Sequence, residues 1–193
     1  MVPSLTEEIA VAAARLVVDE GMEYASAKRR AARDVQRQGA RRPELPSNEV
    51  VEDAVREHIA LFCADTQAGE LAALRGLALK WMLRLAEFRP HLGGAAWRGT
   101  ATRLSALHLD LYCDDPKAAE IALINLNIVY DTASGPDDTP VLVLADRCAD
   151  WPEPVTLFLS VLDHDDLRGA LKPDARGRSW RGNATALQHL LEN

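Results

Sequence analysis

The chain carries its most informative pattern between residues 93 and 111. It reads Gly93-Gly94-Ala95-Ala96-Trp97-Arg98-Gly99-Thr100-Ala101-Thr102-Arg103-Leu104-Ser105-Ala106-Leu107-His108-Leu109-Asp110-Leu111. The first part is rich in glycine, and glycine allows a tight turn and a close approach of the backbone to a ligand. In the last part, apolar and polar residues alternate, which is typical of a strand with one buried face. The pattern therefore predicts a glycine turn, a short polar connection and a strand over 107–113.

The segments on either side of this pattern predict helices and further strands. Asp115 followed by Pro116 is typical of the cap and first turn of a helix. Runs rich in valine and leucine at 140–145 and 154–162 predict strands, and Asn183 predicts the cap of a last helix. Before the turn, an apolar stripe at helical spacing predicts one helix that ends before Pro90. The stripe consists of Leu71, Leu74, Ala78, Trp81, Met82, Leu85 and Phe88.

The N-terminal part predicts helices only. Ser4 and Glu7 fit a capping box, and Gly21 is expected to end that first helix. A second helix is expected over 24–38, closed by Gly39, and Ser47 predicts the cap of a third. The fold class predicted from these elements is α/β in the sense of α+β, with a mixed sheet preceded by a helical region. The expected boundary gives a helical region over 1–66 and a second domain over 67–193.

Composition restricts the class of protein. The 193 residues suffice for one substantial domain or a domain with an appendage, and the net charge of -7 argues against general coating of nucleic acid. The three cysteines show no paired spacing, which favours a reducing compartment. No apolar run approaches the length of a membrane span or a signal peptide. We therefore expect a cytoplasmic protein without membrane contact.

The stretch that begins at Gly93 resembles the active-site signature of the minimal nucleotidyltransferases of the polymerase-beta-like superfamily. In that family, a turn ending in Gly-Ser and an Arg-Gly pair precede a strand with the pattern Ser-Asp-x-Asp. Gly94 matches the glycine of the turn, Arg98-Gly99 matches the Arg-Gly pair, and Ser105 matches the serine before the strand. Ala95 stands at the place of the serine in the turn. The resemblance implies a nucleotidyltransferase-like mixed sheet over roughly residues 69–162.

The resemblance also implies that the catalytic aspartates are replaced. Ala106 and His108 stand where the family has two aspartates, and Thr156 stands at the place of the third carboxylate. Nucleotidyl transfer in such enzymes uses two divalent ions held by hard oxygen ligands. Ala106 offers no ligand, and His108 offers a nitrogen that zinc or manganese accepts more readily than magnesium.

His108 and Asp110 remain the candidates for catalysis. Residues two apart on a strand point to the same side, so the pair could hold one metal ion or act as an oriented base. If the protein is active, the cofactor is thus a divalent metal ion, namely Mg²⁺, Mn²⁺ or Zn²⁺. The alternative is a hydrogen bond on a strand surface without any catalytic role.

The glycine turn is a candidate phosphate site in its own right. Successive backbone N–H groups can cradle an anion, and Arg98 and Arg103 could pair with phosphate. The alternative is a turn that needs glycine only for its backbone angles, beside solvated arginines. The predicted ligand-binding residues are Gly94, Arg98, Gly99, Arg103 and Ser105, next to His108 and Asp110.

Charged clusters elsewhere allow further interpretations. Arg29, Arg33 and Arg37 lie four residues apart on the second helix and could follow the phosphates of structured RNA or contact a protein partner. The alternative is a solvated face paired with neighbouring acids. The acidic run 163–166 reads as a strand exit rather than a metal cluster. Four basic residues before the last helix could close over an anionic ligand or remain solvated: Lys172, Arg176, Arg178 and Arg181.

These observations predict a divergent nucleotidyltransferase-like protein that binds a nucleotide or another phosphorylated ligand, with weak or no nucleotidyl transfer. It would then be a pseudoenzyme of a transferase family. The alternative is a non-catalytic module that binds RNA or protein through the basic second helix.

Overall fold

The computed structural model describes residues 4–37, 43–174 and 176–192. They form two compact units, which are described separately. The first unit comprises residues 4–68 with Thr100–Ser105, and the second comprises residues 69–99 with 106–192. Among the described residues, no helix is both long enough and apolar enough to span a membrane.

The first unit contains the helices α1 (Leu5–Glu20), α2 (Tyr24–Arg37) and α3 (Asn48–Phe62). The predicted capping box is confirmed, because Ser4 and Glu7 each bond the backbone N–H of the other. Gly21 ends α1 in the left-handed conformation, as predicted, and Ser47 caps α3. The end predicted for the second helix at Gln38 and Gly39 lies outside the described residues.

Alanine-rich helix faces form the core of the first unit, which lets the three helices approach closely. The core residues include Ile9, Ala13, Val17, Ala27, Ala31, Val51, Val55 and Ile59. Lys28 Nζ ties α2 to the start of α3 by bonds to the carbonyl of Pro46 at 3.1 Å and to Asn48 Oδ1 at 2.8 Å. The segment Thr100–Ser105 packs in this unit, where Gln67 Nε2 donates to the carbonyl of Ala101 at 3.0 Å.

The second unit is built on a six-stranded mixed sheet. Its strands are β1 (His91–Gly93), β2 (Leu107–Tyr112), β3 (Asp131–Ser134), β4 (Pro140–Asp146), β5 (Val155–Leu162) and β6 (Gly182–Asn183). Their order is β3-β4-β5-β2-β1-β6, and β2 and β5 run parallel at the centre while the other pairs are antiparallel. The predicted strands at 107, 140 and 154 are confirmed to within a residue or two at their ends. The predicted α+β class with a mixed sheet and a preceding helical region is also confirmed.

The helices of the second unit are α4 (Gln67–Arg84, which begins in the first unit), α5 (Gly94–Arg98), α6 (Pro116–Asn125), α7 (Leu167–Ala170) and α8 (Ala184–Glu192). Asp115 caps α6 and Asn183 Oδ1 accepts from Ala186 N–H at the start of α8, as predicted. The long apolar stripe is not one helix, however. The α-helix ends at Arg84, and Ala86–Phe88 form a separate 3₁₀ turn that returns the chain to β1.

One face of the sheet is apolar and fully covered. Leu107, Leu109 and Leu111 on β2 are completely buried, and Leu157 and Leu159 on β5 are buried beside them. Trp81 on α4 is also buried, and its Nε1 donates to Asp146 Oδ2 at 2.9 Å, which fixes α4 to the end of β4. The alternate residues of β2 and β5 therefore point to the opposite face, where the candidate site lies.

Candidate ligand-binding site on the sheet

The face of the central strands opposite the buried leucines carries the residues predicted for chemistry. His108 and Asp110 alternate with the buried leucines and so share this face, as their spacing predicts. The register places Gly93 and Phe158 opposite His108, and His91 and Ser160 opposite Asp110. The face is half-buried rather than open to water.

Asp110 is engaged by an arginine from the C-terminal segment. Arg181 Nη1 donates to Asp110 Oδ2 at 2.5 Å and to the hydroxyl of Tyr112 at 3.1 Å. Burial raises the pKa of Asp110, and the positive charge of Arg181 opposes that rise. Arg181 is one of the four basic residues that were predicted either to close over an anionic ligand or to remain solvated. It pairs with the carboxylate of Asp110 and therefore does not remain solvated.

His108 lies flat against an aromatic ring. The imidazole stacks on Phe158 with centroids 5.1 Å apart and planes tilted by 12°. Gly94 has a φ of +64°, and a Cβ there would lie 3.3 Å from His108 Cδ2. Glycine at position 94 therefore allows the left-handed backbone conformation and also leaves room for the imidazole of His108.

The residues present do not fit a two-metal nucleotidyltransferase centre. The parallel pairing begins at Leu107 and Leu157; Ala106 and Thr156 directly precede these two residues, and neither has a carboxylate side chain. Asp110 already accepts from Arg181, and His108 packs on Phe158. Among the described residues, no three His, Cys, Asp or Glu side chains are grouped so that they could hold a metal ion. The roles of His108 and Asp110 in catalysis and metal binding stay predictions.

Residues 94–98 form helix α5, where the sequence predicted only a glycine turn. Gly94 is the first residue of α5, Arg98 is the last, and Gly99 ends it with a φ of +82°. Arg75 on α4 holds the C-terminal end of α5, because its guanidinium donates to the carbonyls of Ala96 and Trp97 at 2.9 and 3.1 Å. Arg75 is thus a positioning residue that the periodicity of α4 gave no reason to single out.

The C-terminal segment packs against α5 through two tryptophans. Trp97 Nε1 donates to the carbonyl of Ser179 at 2.9 Å, and its ring covers Gly182, where a Cβ would lie only 2.0 Å from a ring carbon. The guanidinium of Arg98 lies 5.0 Å from the centroid of the Trp180 ring, a cation–π arrangement. These contacts position both Arg98 and Arg181 on the sheet unit.

Two predicted ligand-binding residues belong to the first unit. Arg103 is exposed there, and Ser105 Oγ accepts from the N–H of Thr102 at 3.0 Å within the same segment. The structure therefore brings Gly94, His108 and Asp110 together around β2, with Arg98 and Gly99 at the far end of α5. The ligand-binding roles of all these residues remain predictions.

The arginines of α2 are exposed, and the acidic run 163–166 forms a capped turn. Arg29, Arg33 and Arg37 are exposed on α2, and Arg37 lies 3.7 Å from Asp34, a pair too exposed to contribute much stability. In the acidic run, Asp163 Oδ1 accepts the N–H of Asp165 and caps a 3₁₀ turn. This agrees with its interpretation as a strand exit.

Comparisons with known proteins add one structural match. No family model matches the chain, and a search of curated proteins finds no match. A search of solved structures finds Cid1, described for its RNA terminal uridylyl transferase activity, at 14% identity and a TM-score of 0.38. The match covers 54% of this chain and only 36% of the Cid1 chain. This match does not assign a family to the chain.

Proposed function

We propose that the sheet unit is a divergent nucleotidyltransferase-like domain that binds a phosphorylated ligand, in the first place a nucleotide, without two-metal nucleotidyl transfer. The observation that carries the proposal is the ion pair between Arg181 and Asp110. In a two-metal site, the carboxylate at this strand would face a cation, and here a guanidinium supplies that positive charge. Because this positive charge belongs to the side chain of Arg181, a ligand phosphate can bind beside it without a metal ion.

Two arginines and a stacked ring pair of the sheet unit favour an anionic, planar ligand. Arg98 is held over Trp180, and Arg181 is only partly covered, with 31% of its side chain exposed. Guanidinium groups bind phosphate through several N–H donors in one plane. The stacked rings of His108 and Phe158 form an aromatic surface on the same sheet face. Together these groups offer positive charge for a phosphate and aromatic area for a base.

A thermal-shift titration of the full chain tests this proposal. Nucleoside triphosphates at about ten times the dissociation constant should raise the melting temperature by about 3–5 °C, because binding to the native state stabilises it by mass action. The shift should be equal with a chelator and with Mg²⁺, Mn²⁺ or Zn²⁺. Arg98→Ala should reduce it, and Arg168→Ala, which removes an exposed arginine of the same unit, should leave it unchanged.

Two outcomes would contradict the proposal. A shift that needs a metal ion and disappears in both His108→Ala and Asp110→Ala would indicate a working metal site. The absence of any shift with any nucleotide, at concentrations where the protein stays folded, would remove nucleotide binding from the sheet unit.

A second candidate function is RNA binding through α2, and it rests on the exposure of Arg29, Arg33 and Arg37. A helix face that contacts phosphates releases counterions, so its binding constant falls steeply with salt. We expect the triple alanine variant to weaken binding of a structured RNA and to lower the slope of log K against log salt by about 2–3. The measurement is fluorescence anisotropy over a range of salt concentrations.

The matched control for this experiment removes three exposed cations from the sheet unit, namely Arg147, Arg168 and Lys172. Its net charge change equals that of the α2 variant. Equal loss in both variants, or no loss in the α2 variant, would exclude α2 as the RNA contact.

A further inference from the structure

A cavity lies at the end of the sheet formed by β1 and β6. It has a volume of about 380 Å³ and is formed by the end of the 3₁₀ turn before β1, by α7 and by the start of α8. None of the ligand-binding residues predicted from the sequence lines it. The lining residues are Ala86, Arg89, Pro90, His91, Leu167, Leu171, Asn183, Ala184 and Thr185.

One end of the cavity favours a negative charge. The first N–H groups of α8 have no partner within the helix, and the helix dipole places partial positive charge at this end. Arg89 adds a full positive charge, and its guanidinium donates to Nε2 of His164. A guanidinium carries five N–H donors, so this contact leaves others for a ligand. No carboxylate is among the described residues that line the cavity.

His91 adds a separate observation that points to a ligand. Its Nδ1 lies 2.8 Å from the carbonyl oxygen of Arg89. A carbonyl only accepts, so Nδ1 carries the proton and Nε2 is left as an acceptor. The residue is 5% exposed, burial lowers the pKa of its imidazole, and the ring is therefore neutral at pH 7. Among the described residues, none bonds Nε2, and this atom is not one of the fully buried polar atoms, so a ligand in the cavity that His91 lines can reach it.

His91 and the N-terminus of α8 lie next to each other. His91 on β1 is paired with Asn183 on β6, and Asn183 is the residue that caps α8. Paired residues of antiparallel strands are about 5 Å apart at their Cα atoms and point to the same face. A ligand with an anionic group and a hydroxyl on neighbouring atoms can therefore meet both features. Apart from Arg89 and Thr185, the rest of the lining is apolar, with Pro90, Leu167 and Leu171 as the larger side chains.

We propose that this cavity binds a small hydroxy acid with an apolar body. Its carboxylate meets the N-terminus of α8 and Arg89, its hydroxyl donates to Nε2 of His91, and its apolar part lies along Leu167 and Leu171. The proposal does not depend on nucleotide binding by the sheet face.

The test is an NMR titration of the isotope-labelled full chain with α-hydroxyisocaproate. The matched ligands are isocaproate, which lacks the hydroxyl, and α-hydroxyisocaproamide, which lacks the negative charge. We expect saturable binding of the hydroxy acid with shifts at residues of the cavity, and about tenfold weaker binding of each analogue.

Three variants locate the site. Leu171→Glu places a carboxylate on an exposed part of the wall and should weaken binding at least about tenfold by repulsion. Leu190→Glu, at an exposed position on α8 outside the cavity, should leave binding unchanged. His91→Phe, accepted only if its spectrum remains that of a folded protein, should bind the hydroxy acid and isocaproate equally well.

Three results would overturn the proposal. They are the absence of saturable binding up to about 20 mM ligand, equal affinity of the wild-type protein for the hydroxy acid and isocaproate, and equal weakening in Leu171→Glu and Leu190→Glu. A melting-temperature shift with nucleotides would bear only on the sheet face, so the two proposals fail separately.

Discussion

Replacement of Arg181 by alanine should lower the free energy of unfolding by about 2 kcal/mol at pH 7. The substitution leaves the carboxylate of Asp110 without its partner on a largely buried face, where only 19% of its side chain is exposed. Removing one partner of a fully buried pair costs more than this, and the partial exposure of both side chains reduces the loss. The measurement is urea-induced unfolding followed by circular dichroism.

The loss should depend on pH with a definite sign. Burial raises the pKa of Asp110, and removal of Arg181 takes away an interaction that lowers it. The folded variant then holds a proton that the unfolded chain has released, so its stability falls as the pH rises from the ordinary range of a carboxyl group to the raised pKa. The difference between Arg181→Ala and wild type should be smaller at pH 4.5 than at pH 7.

A double variant supplies the control. Asp110→Asn removes the negative charge that Arg181 compensates, so Arg181→Ala should cost much less in an Asp110→Asn background. An equal cost in both backgrounds would show that Arg181 stabilises the protein through its contact with Tyr112 or through packing. A pH-independent cost would contradict the role assigned to the carboxylate.

Gly182→Ala should destabilise the protein by about 2 kcal/mol. The added Cβ would lie 2.0 to 2.6 Å from three carbons of the Trp97 ring, so the ring must move. Movement of Trp97 would break its hydrogen bond to the carbonyl of Ser179, and this bond anchors the segment that carries Arg181. Urea-induced unfolding measures the loss, and tryptophan fluorescence should report the displaced ring.

The matched control is Gly76→Ala on α4, where nothing lies within 4 Å of the added Cβ. Alanine favours the helix there, so this variant should gain about 0.5–1 kcal/mol. The Trp97→Leu substitution removes the clashing ring, and in that background Gly182→Ala should cost little. Wild-type stability of Gly182→Ala, or an unchanged cost in the Trp97→Leu background, would contradict the contact.

Local signals predicted the elements better than they predicted the site. The caps at Ser4, Gly21, Ser47 and Asp115 were predictable because a cap depends on residues three or four apart. The short strands β1, β3 and β6 were not predicted, because strands of two to four residues are too short to show an alternating pattern. The 3₁₀ break after Arg84 was missed because its apolar residues continue the helical spacing.

The site depended on contacts that are distant in the chain. Spacing alone placed His108 and Asp110 on one face of β2, since alternation is a local property. The partners of both residues could not be predicted, because Phe158 is brought beside His108 by the parallel pairing of β2 and β5, and Arg181 lies 71 residues from Asp110. The basic residues before the last helix, which include Arg181, were recognisable in the sequence by their charge. Charge alone does not predict which carboxylate an arginine contacts.

The ion pair between Arg181 and Asp110 also limits how this chain could evolve. Acquisition of two-metal chemistry at this site would need carboxylates at Ala106, His108 and Thr156 and the loss of Arg181, which makes four substitutions. Loss of Arg181 first would leave a buried charge without compensation, and new carboxylates first would gather negative charge on one strand face. Since each intermediate is less stable than its parent, selection for stability would hold the present arrangement in place even without selection for a ligand.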